Sequence, residues 1–402
     1  MAVTGRQRDA VLAQALAGAC TLALVMGIGR FAYTPMLPPM LEGGGLSLAG
    51  AGIVASANFL GYLAGALLAT QARFVAHRVR GLRIGIVISI LSTAAMAIAA
   101  GTAGWALLRF VAGMASAFVL VYASGMILDL AARTARPMLG SMLYSGVGAG
   151  IAMSALLVFA GRSAGLGAGP LWLLTGALAA LLAIPPWQRL TDAGSDPAVV
   201  ARQQPAPAGA SPAMRRLIAG YGCLGFGYVI TATFIVVMVR RLPDAATWEL
   251  WVWLTVGLAG APSNWLWARI AARTGPYRAI VAAFILEAIG VALAAVGSSP
   301  ATILVGAVLL GGTFMAISAL GLAAARELAP GRSDQTIAKM TVAFSVGQIA
   351  GPALGGWLAE RSGDFVSASW LAVAALLLGA ALTASAGRHL RRSRAAGDAA
   401  GD

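Results

Sequence analysis

Arg30 is the side chain in this sequence whose type and setting most call for chemistry. It stands in the run Met26-Gly27-Ile28-Gly29-Arg30-Phe31-Ala32-Tyr33-Thr34-Pro35-Met36-Leu37-Pro38-Pro39-Met40, within an otherwise apolar stretch. A charge at bilayer depth is costly unless it faces a bundle interior or a watery cavity, so Arg30 is a candidate for holding an anionic group or a proton-linked carboxylate. The competing role is helix packing against backbone carbonyls. Gly27 and Gly29 allow a helix or ligand close to the backbone, and Pro35, Pro38 and Pro39 interrupt regular hydrogen bonding just beyond. Two other ionisable groups fall inside apolar runs. Arg109 sits near one end of its run, where its long stem can carry the charge out to the interface. Glu287 lies well inside a run, where a protonated carboxyl either exchanges a proton or bonds across helices.

Uncharged polar groups accompany them. Tyr33, Asn58, Tyr62, Tyr122, Tyr144, Tyr228, Asn264 and Gln348 all fall within apolar segments, each a possible solute contact or an interhelical hydrogen bond. Tyr33 and Tyr228 rank first because they flank glycine-rich or broken stretches. The substrate-contact candidates are Arg30, Tyr33, Asn58, Tyr122, Tyr228 and Thr313. Gly27, Gly29, Pro35, Gly225, Gly227, Gly351 and Pro352 are the candidate gating or hinge positions.

The elements that must position these groups are membrane helices. Hydrophobic residues make up 59% of the 402 and charged residues 10%, against roughly a quarter charged in a soluble domain. Apolar runs of about 20 residues, the length that crosses a bilayer, recur throughout. They fall near residues 12–40, 48–70, 83–103, 104–129, 138–161 and 171–187, then 214–240, 248–268, 279–297, 300–326, 338–359 and 367–387. Between the two sets lies a polar, Pro-rich segment with Pro197, Pro205, Pro207 and Pro212. The expected organisation is an all-α membrane protein of about twelve transmembrane helices in two pseudo-symmetric six-helix bundles. Residues 1–187 form the first bundle, 188–213 a cytoplasmic linker, 214–387 the second bundle and 388–402 a basic tail that frays.

The net charge of +14 does not mark a nucleic-acid binder, because the arginines are spread over short connections. Arg73, Arg78, Arg80 and Arg83, then Arg133 and Arg136, Arg189 to Arg216, Arg269 to Arg278, Arg326 to Lys339 and the tail all fall on one side. Only Arg162, Arg240, Arg241 and Arg361 fall on the other. The positive-inside rule therefore puts both termini and the linker in the cytoplasm. The first apolar run exceeds a signal-peptide core and reads as a retained helix. Cys20 and Cys223 lie within spans and read as small buried thiols.

The halves repeat weakly at a spacing near 200 residues. Met26 to Arg30 aligns with Leu224-Gly225-Phe226-Gly227-Tyr228, Arg109 to Gly113 with Val308 to Gly312, and Tyr144-Ser145 with Phe344-Ser345. The first half keeps both arginines and the second has neither. Parallel repeats around a midplane site are one architecture of secondary transporters.

These features resemble the major facilitator superfamily, and Gly27-Ile28-Gly29-Arg30-Phe31-Ala32-Tyr33-Thr34-Pro35 is similar to the signature of its YbfB/YjiJ-type branch. Gly225 to Tyr228 with Ala232-Thr233-Phe234, and Gly311-Gly312-Thr313-Phe314-Met315, resemble the same branch. The likeness runs from about Val11 to Gly387 and carries fold, not substrate. It implies alternating access around a cavity lined by spans one, four, seven and ten. In Arg109 and Gly113 it matches a fourth-span pattern associated with proton coupling. The loop motif after the second span is degenerate near Arg73 to Arg83, and its second copy, Ile270 to Gly275, has Ala272 where an acid is expected. The antiporter motif is absent from the fifth span, although Gly347 to Gly356 has its form in the eleventh, so antiport is not inferred.

An intramembrane enzyme would need a nucleophile and base, or metal ligands, at one depth. His77 and His389 lie in a basic loop and the tail, the acids are scattered, and no phosphate loop is present. No cofactor and no metal site is expected. The expected function is secondary active transport of a small organic solute across the inner membrane, proton-coupled, with an anionic or amphipathic substrate, Arg109 and Glu287 as proton-coupling candidates, and the chain acting as a monomer. A non-transporting receptor or scaffold on the same fold is the alternative class.

Overall fold

A computed structural model describes residues 5–43, 45–71, 77–136, 138–190, 211–242, 245–297, 299–328 and 333–398. The described chain is helical and forms twelve spans. The first is built from Gly5–Leu22, a π-helical turn at Ala23–Ile28 and Tyr33–Glu42. Leu48–Ala69, Arg78–Ala95, Gly101–Arg133, Met138–Ser163 and Ala168–Leu182 follow, the last continued by Ile184–Arg189. The second six are Pro212–Met238, Ala245–Thr274, Pro276–Val296, Pro300–Leu328, Ser333–Ser362 and Val366–Asp398.

Local chemistry sets several of the ends. Ser47 and Ser211 cap the second and seventh spans, their hydroxyls accepting from Gly50 N at 3.1 Å and Met214 N at 3.2 Å. Gly275 separates the eighth and ninth spans at φ +87°, a conformation that favours glycine, and Pro276 then opens the next helix. Ten of the spans carry a long apolar window. The third opens instead on Arg78, Arg80 and Arg83, and the eighth is interrupted by Glu249, Asn264 and its tryptophans.

Two expectations need correction. The third span covers Arg78–Ala95, not 83–103, because a turn at Met96 to Ile98 divides the apolar run before Gly101. The expected frayed tail continues as helix to Asp398. Most of the expected linker, residues 191–210, lies outside the described residues, as do Arg73 and Arg332.

The halves are built alike through backbone contacts at small residues. A Cβ on Gly113 would strike the Asn58 carbonyl, and one on Gly61 the Phe110 carbonyl, so the second and fourth spans touch main chain to main chain. In the second half Gly311 meets the Val256 carbonyl between the eighth and tenth spans. Gly146 lies against Ala19 O, and Gly347 against Gly222 O, in matching first–fifth and seventh–eleventh pairs. The same helix pairs thus meet through glycine in both halves.

Contact between the halves is concentrated from mid-bundle toward the end that carries residues 43–47, the end opposite the termini. There Gly52 packs on Pro352 O, Gly356 on Leu48 O, and Gly148 on Gly257 and Ala261. Hydrogen bonds join them: Thr34 Oγ1 to Ala232 O (2.7 Å), Ser56 Oγ to Ile349 O (2.7 Å), Trp253 Nε1 to Ser154 Oγ (3.3 Å) and Ala49 N to Glu360 Oε2 (2.7 Å).

Gly113→Leu should therefore lower stability by about 1–3 kcal/mol or prevent assembly, because no side chain can yield where two backbones meet. Gly312→Ala, where the added Cβ would meet nothing within 4 Å, should stay within about 0.5 kcal/mol of the parent. Thermal unfolding in detergent of both variants checks the pair.

Candidate functional site

The site begins with a flaw in the first span. From Ala23 the helix widens: Gly29 N donates to Leu24 O at 2.7 Å and Phe31 N to Met26 O at 3.0 Å, five residues back instead of four. Such π-bulges recur at functional sites. Pro35 has no N–H to give the Phe31 carbonyl, which accepts from Thr34 N at 3.2 Å instead. The break therefore falls at residues 29–32, with Arg30 on it. Pro38 and Pro39 lie inside the helix Tyr33–Glu42, where their missing N–H groups interrupt the hydrogen-bond ladder without ending the helix.

Arg109 mends this break. Its Nη1 donates to Gly29 O and its Nη2 to Arg30 O, both at 2.6 Å, and its guanidinium carbon lies 5.1 Å from the centre of the Tyr33 ring. It is 3% exposed, so it does not carry its charge out to the interface. Tyr33 is held in turn by its hydroxyl, which donates to Ala51 O at 3.0 Å. Asn58 supports the same corner: Nδ2 donates to Arg109 O at 2.9 Å, while Oδ1 is buried without a partner.

Arg30 then projects to the junction of the halves. Its Nη2 donates to Gln348 Oε1 of the eleventh span at 2.9 Å, and Nε is buried with no partner. The Phe59 and Tyr62 rings lie 4.4 and 4.5 Å from the guanidinium carbon. Gln348 Nε2 donates to the Tyr228 hydroxyl, and the Tyr228 ring is stacked between Phe314 at 5.3 Å and Phe344 at 5.9 Å. Arg30 and its repeat counterpart Tyr228 thus grip one glutamine from opposite halves. Toward the 43–47 end this junction is sealed by Thr34 and Ala232. Toward the termini, Met26, Tyr62, Tyr144, Phe226 and Phe344 are only half-buried.

Other candidates lie elsewhere. Tyr122 packs on Gly81 and its hydroxyl donates to Ala69 O at 3.4 Å, away from Arg30. Thr313 contacts Glu287 between the ninth and tenth spans, and Glu287 is wholly buried with Oε1 unpartnered. Thr313 Oγ1 also lies 2.6 Å from Leu309 O. A hydroxyl has one proton, so if it goes to Leu309 O, the Glu287 contact requires the proton on the carboxyl. Among the hinge candidates, Gly27 meets the Gly150 backbone, Gly29 faces Ser89 Oγ, Gly225 meets Phe344 O and Gly227 packs on Leu376. Gly351 packs on Val229, and the Pro352 carbonyl is the surface on which Gly52 sits.

Sequence reasoning passed over the aromatic walls, since Phe59, Phe314 and Phe344 look like any apolar residue. It also passed over an ionic cluster at the 43–47 end. Glu42 binds Arg162 at 2.9 Å and Arg240 at 2.6 Å, and Arg240 binds Glu249 at 2.8 Å. The signal was available: Arg162 and Arg240 are arginines on the arginine-poor side, each set near the end of an apolar run alongside Glu42 and Glu249.

The sequence from residue 22 to 384 matches the profile of a family described as uncharacterised MFS-type transporter YbfB. No curated protein matches it. Among solved structures, a mutant of the nucleoside transporter NupG is similar at TM-score 0.72 and 13% identity, covering 94% of this chain and 99% of that one. A bacterial homologue of the human lysosomal transporter Spinster, inward-facing and occupied, is similar at TM-score 0.66 and 16% identity, covering 96% and 98%. At these identities the likeness shows a shared fold.

Replacing Arg109 tests the clamp. Arg109→Lys should destabilise nearly as much as Arg109→Ala, by about 1.5–3 kcal/mol, because a point ammonium does not reproduce the two-pronged fork. Full rescue by lysine in thermal unfolding would mean that only the charge matters there.

Proposed function

The chain belongs to the family of MFS-type transporters typified by YbfB, and on that premise we propose that it is a secondary active transporter moving a small organic solute across a bacterial inner membrane by alternating access. Both termini lie in the cytoplasm, as the arginine distribution supports. The end bearing residues 43–47 is then external, and the closed contacts there correspond to a state shut to the outside and accessible from within.

The observation that carries the reading is Arg30: a guanidinium 4% exposed, at the junction of two bundles, with only the neutral Gln348 and Tyr62 side chains as partners and no carboxylate among the described residues. Its remaining donors suit an acidic group on the solute, delivered along the half-buried tyrosines and phenylalanines. Those rings suit an apolar or aromatic body. A solute carboxylate taking Gln348's place on Arg30 would release the glutamine and loosen one tie between the halves. That gives the ligand a different affinity for the two states, as alternating access requires.

Proton coupling is assigned to Glu287, with Arg109 holding the first span in place. The carboxyl shares the Thr313 hydroxyl with Leu309 O, and Thr313 adjoins Phe314, which stacks on Tyr228. Loss or gain of the proton thus acts one residue from the wall of the Arg30 site.

A thermal-shift screen of purified protein against organic acids and their neutral analogues finds the ligand, since binding the folded state raises its stability. In proteoliposomes Arg30→Ala should lower flux of that ligand at least about 30-fold, the equivalent of roughly 2 kcal/mol for truncating one partner of a buried charged pair. Its unfolding should remain cooperative. Glu287→Gln should keep ligand exchange but lose the response to an imposed pH gradient. Normal flux through Arg30→Ala would refute the assignment.

A further inference from the structure

A groove on the outer surface of the third and sixth spans shares no residue with the Arg30 junction. It offers about 490 Å³ and is lined by Val79, Arg80, Arg83, Ile84, Val87, Ile88 and Trp187. Residues 80, 84, 87 and 91 follow the spacing of one helix face. That face is open, with Ile84 50%, Val87 41% and Leu91 63% exposed. A face turned to lipid tails should be apolar, and from Ile84 onward it is. Arg80 and Arg83 stand at its end nearest the termini. From Val79 to Ile88 the helix rises about 14 Å at ~1.5 Å per residue, close to half of a ~30 Å hydrocarbon core. The groove therefore spans one leaflet.

The arginines here are unlike charges that merely mark topology. Such a side chain keeps a mobile head in water. Arg83 is instead folded back on the sixth span: its Nη2 donates to Trp187 O at 3.2 Å and its guanidinium carbon lies 5.1 Å from the Trp187 ring centre. Its Nε is buried without a partner. Arg80 is exposed, and among the described residues no carboxylate pairs with either arginine. Trp187 is 45% exposed at the same level, where an indole suits the boundary between headgroups and tails. Two unpaired positive charges above an open apolar channel of leaflet depth complement an anionic headgroup with attached chains.

We propose that this groove is a binding site for an anionic phospholipid of the leaflet on the termini side. The phosphate sits against Arg80 and Arg83, and an acyl chain lies along Ile84, Val87 and Ile88. The site joins the third and sixth spans at the surface of the first bundle.

The test mixes the full chain in neutral detergent with phosphatidylglycerol or with phosphatidylcholine of the same acyl chains. Bound lipid is counted by native mass spectrometry and read again as a shift in unfolding temperature. Phosphatidylglycerol should be retained at least about fivefold more than phosphatidylcholine. Arg80→Gln with Arg83→Gln should remove that preference, and Arg215→Gln with Arg216→Gln, which removes two charges elsewhere on the same side, should leave it. If the Arg83 change disturbs folding, Arg80→Gln alone, on an exposed side chain, should still reduce the preference. Equal retention of the two lipids, or loss of the preference in both double variants, would overturn the proposal. So would an equal unfolding shift with inorganic phosphate, which would assign the arginines to free anions.

Discussion

Two guanidinium groups are buried in this bundle with no carboxylate beside them among the described residues, and the rest of the structure is arranged around that constraint. Leaving water costs an ion several kcal/mol even after relaxation, so each group must find other sources of negative potential. Arg109 finds them in two main-chain carbonyls, available because the π-turn and Pro35 disrupt the ladder at residues 29–32. Arg30 finds them in one amide oxygen and the faces of Phe59 and Tyr62. The first charge is used up locally. The second is left with a buried donor unpaired, and that residual demand is what a solute anion would answer.

The repeat explains why the demand is one-sided. Equivalent helix pairs meet through glycines in both halves, although not at the positions the repeat aligns: Gly113 and Gly311, Gly146 and Gly347. At the junction the halves diverge, with Arg30 on one side and Tyr228 on the other, both engaging Gln348. Phe344, at the position equivalent to Tyr144, presses its ring on Tyr228 and completes an aromatic wall. Backbone packing is thus alike in the two halves, while side-chain chemistry at their junction is not.

Much of the fold was legible in the sequence because a membrane helix announces itself by length and hydrophobicity. The exceptions are physical. The third span hides behind its own arginines, and the run past Ala95 is too short of helix signals to show that a turn divides it. Arg30 was legible as a candidate since a charge in an apolar run is rare. The role of Arg109 was not, because sequence shows that an arginine lies near a span end but not that a broken helix eighty residues earlier exposes two carbonyls toward it. Tyr122 and Thr313 carried the same polar signal as Tyr228, and only the three-dimensional arrangement separates a tyrosine bound to a neighbouring carbonyl from one at the junction. Phe59 and Phe314 carried no signal, since a ring that cradles a cation and a ring that fills a core are one residue type.

The central claim is that Arg30 carries a charge that only a bound anion fully satisfies. Isothermal titration of the detergent-purified protein with a ligand acid and its matched amide tests it most directly, in the parent and in Arg30→Gln. The account predicts that the acid binds the parent at least about tenfold tighter than the amide, a difference of about 1.4 kcal/mol. In Arg30→Gln the difference should vanish through weaker binding of the acid, with the amide little changed. An acid preference that survives the substitution, or a parent that binds acid and amide alike, would contradict it.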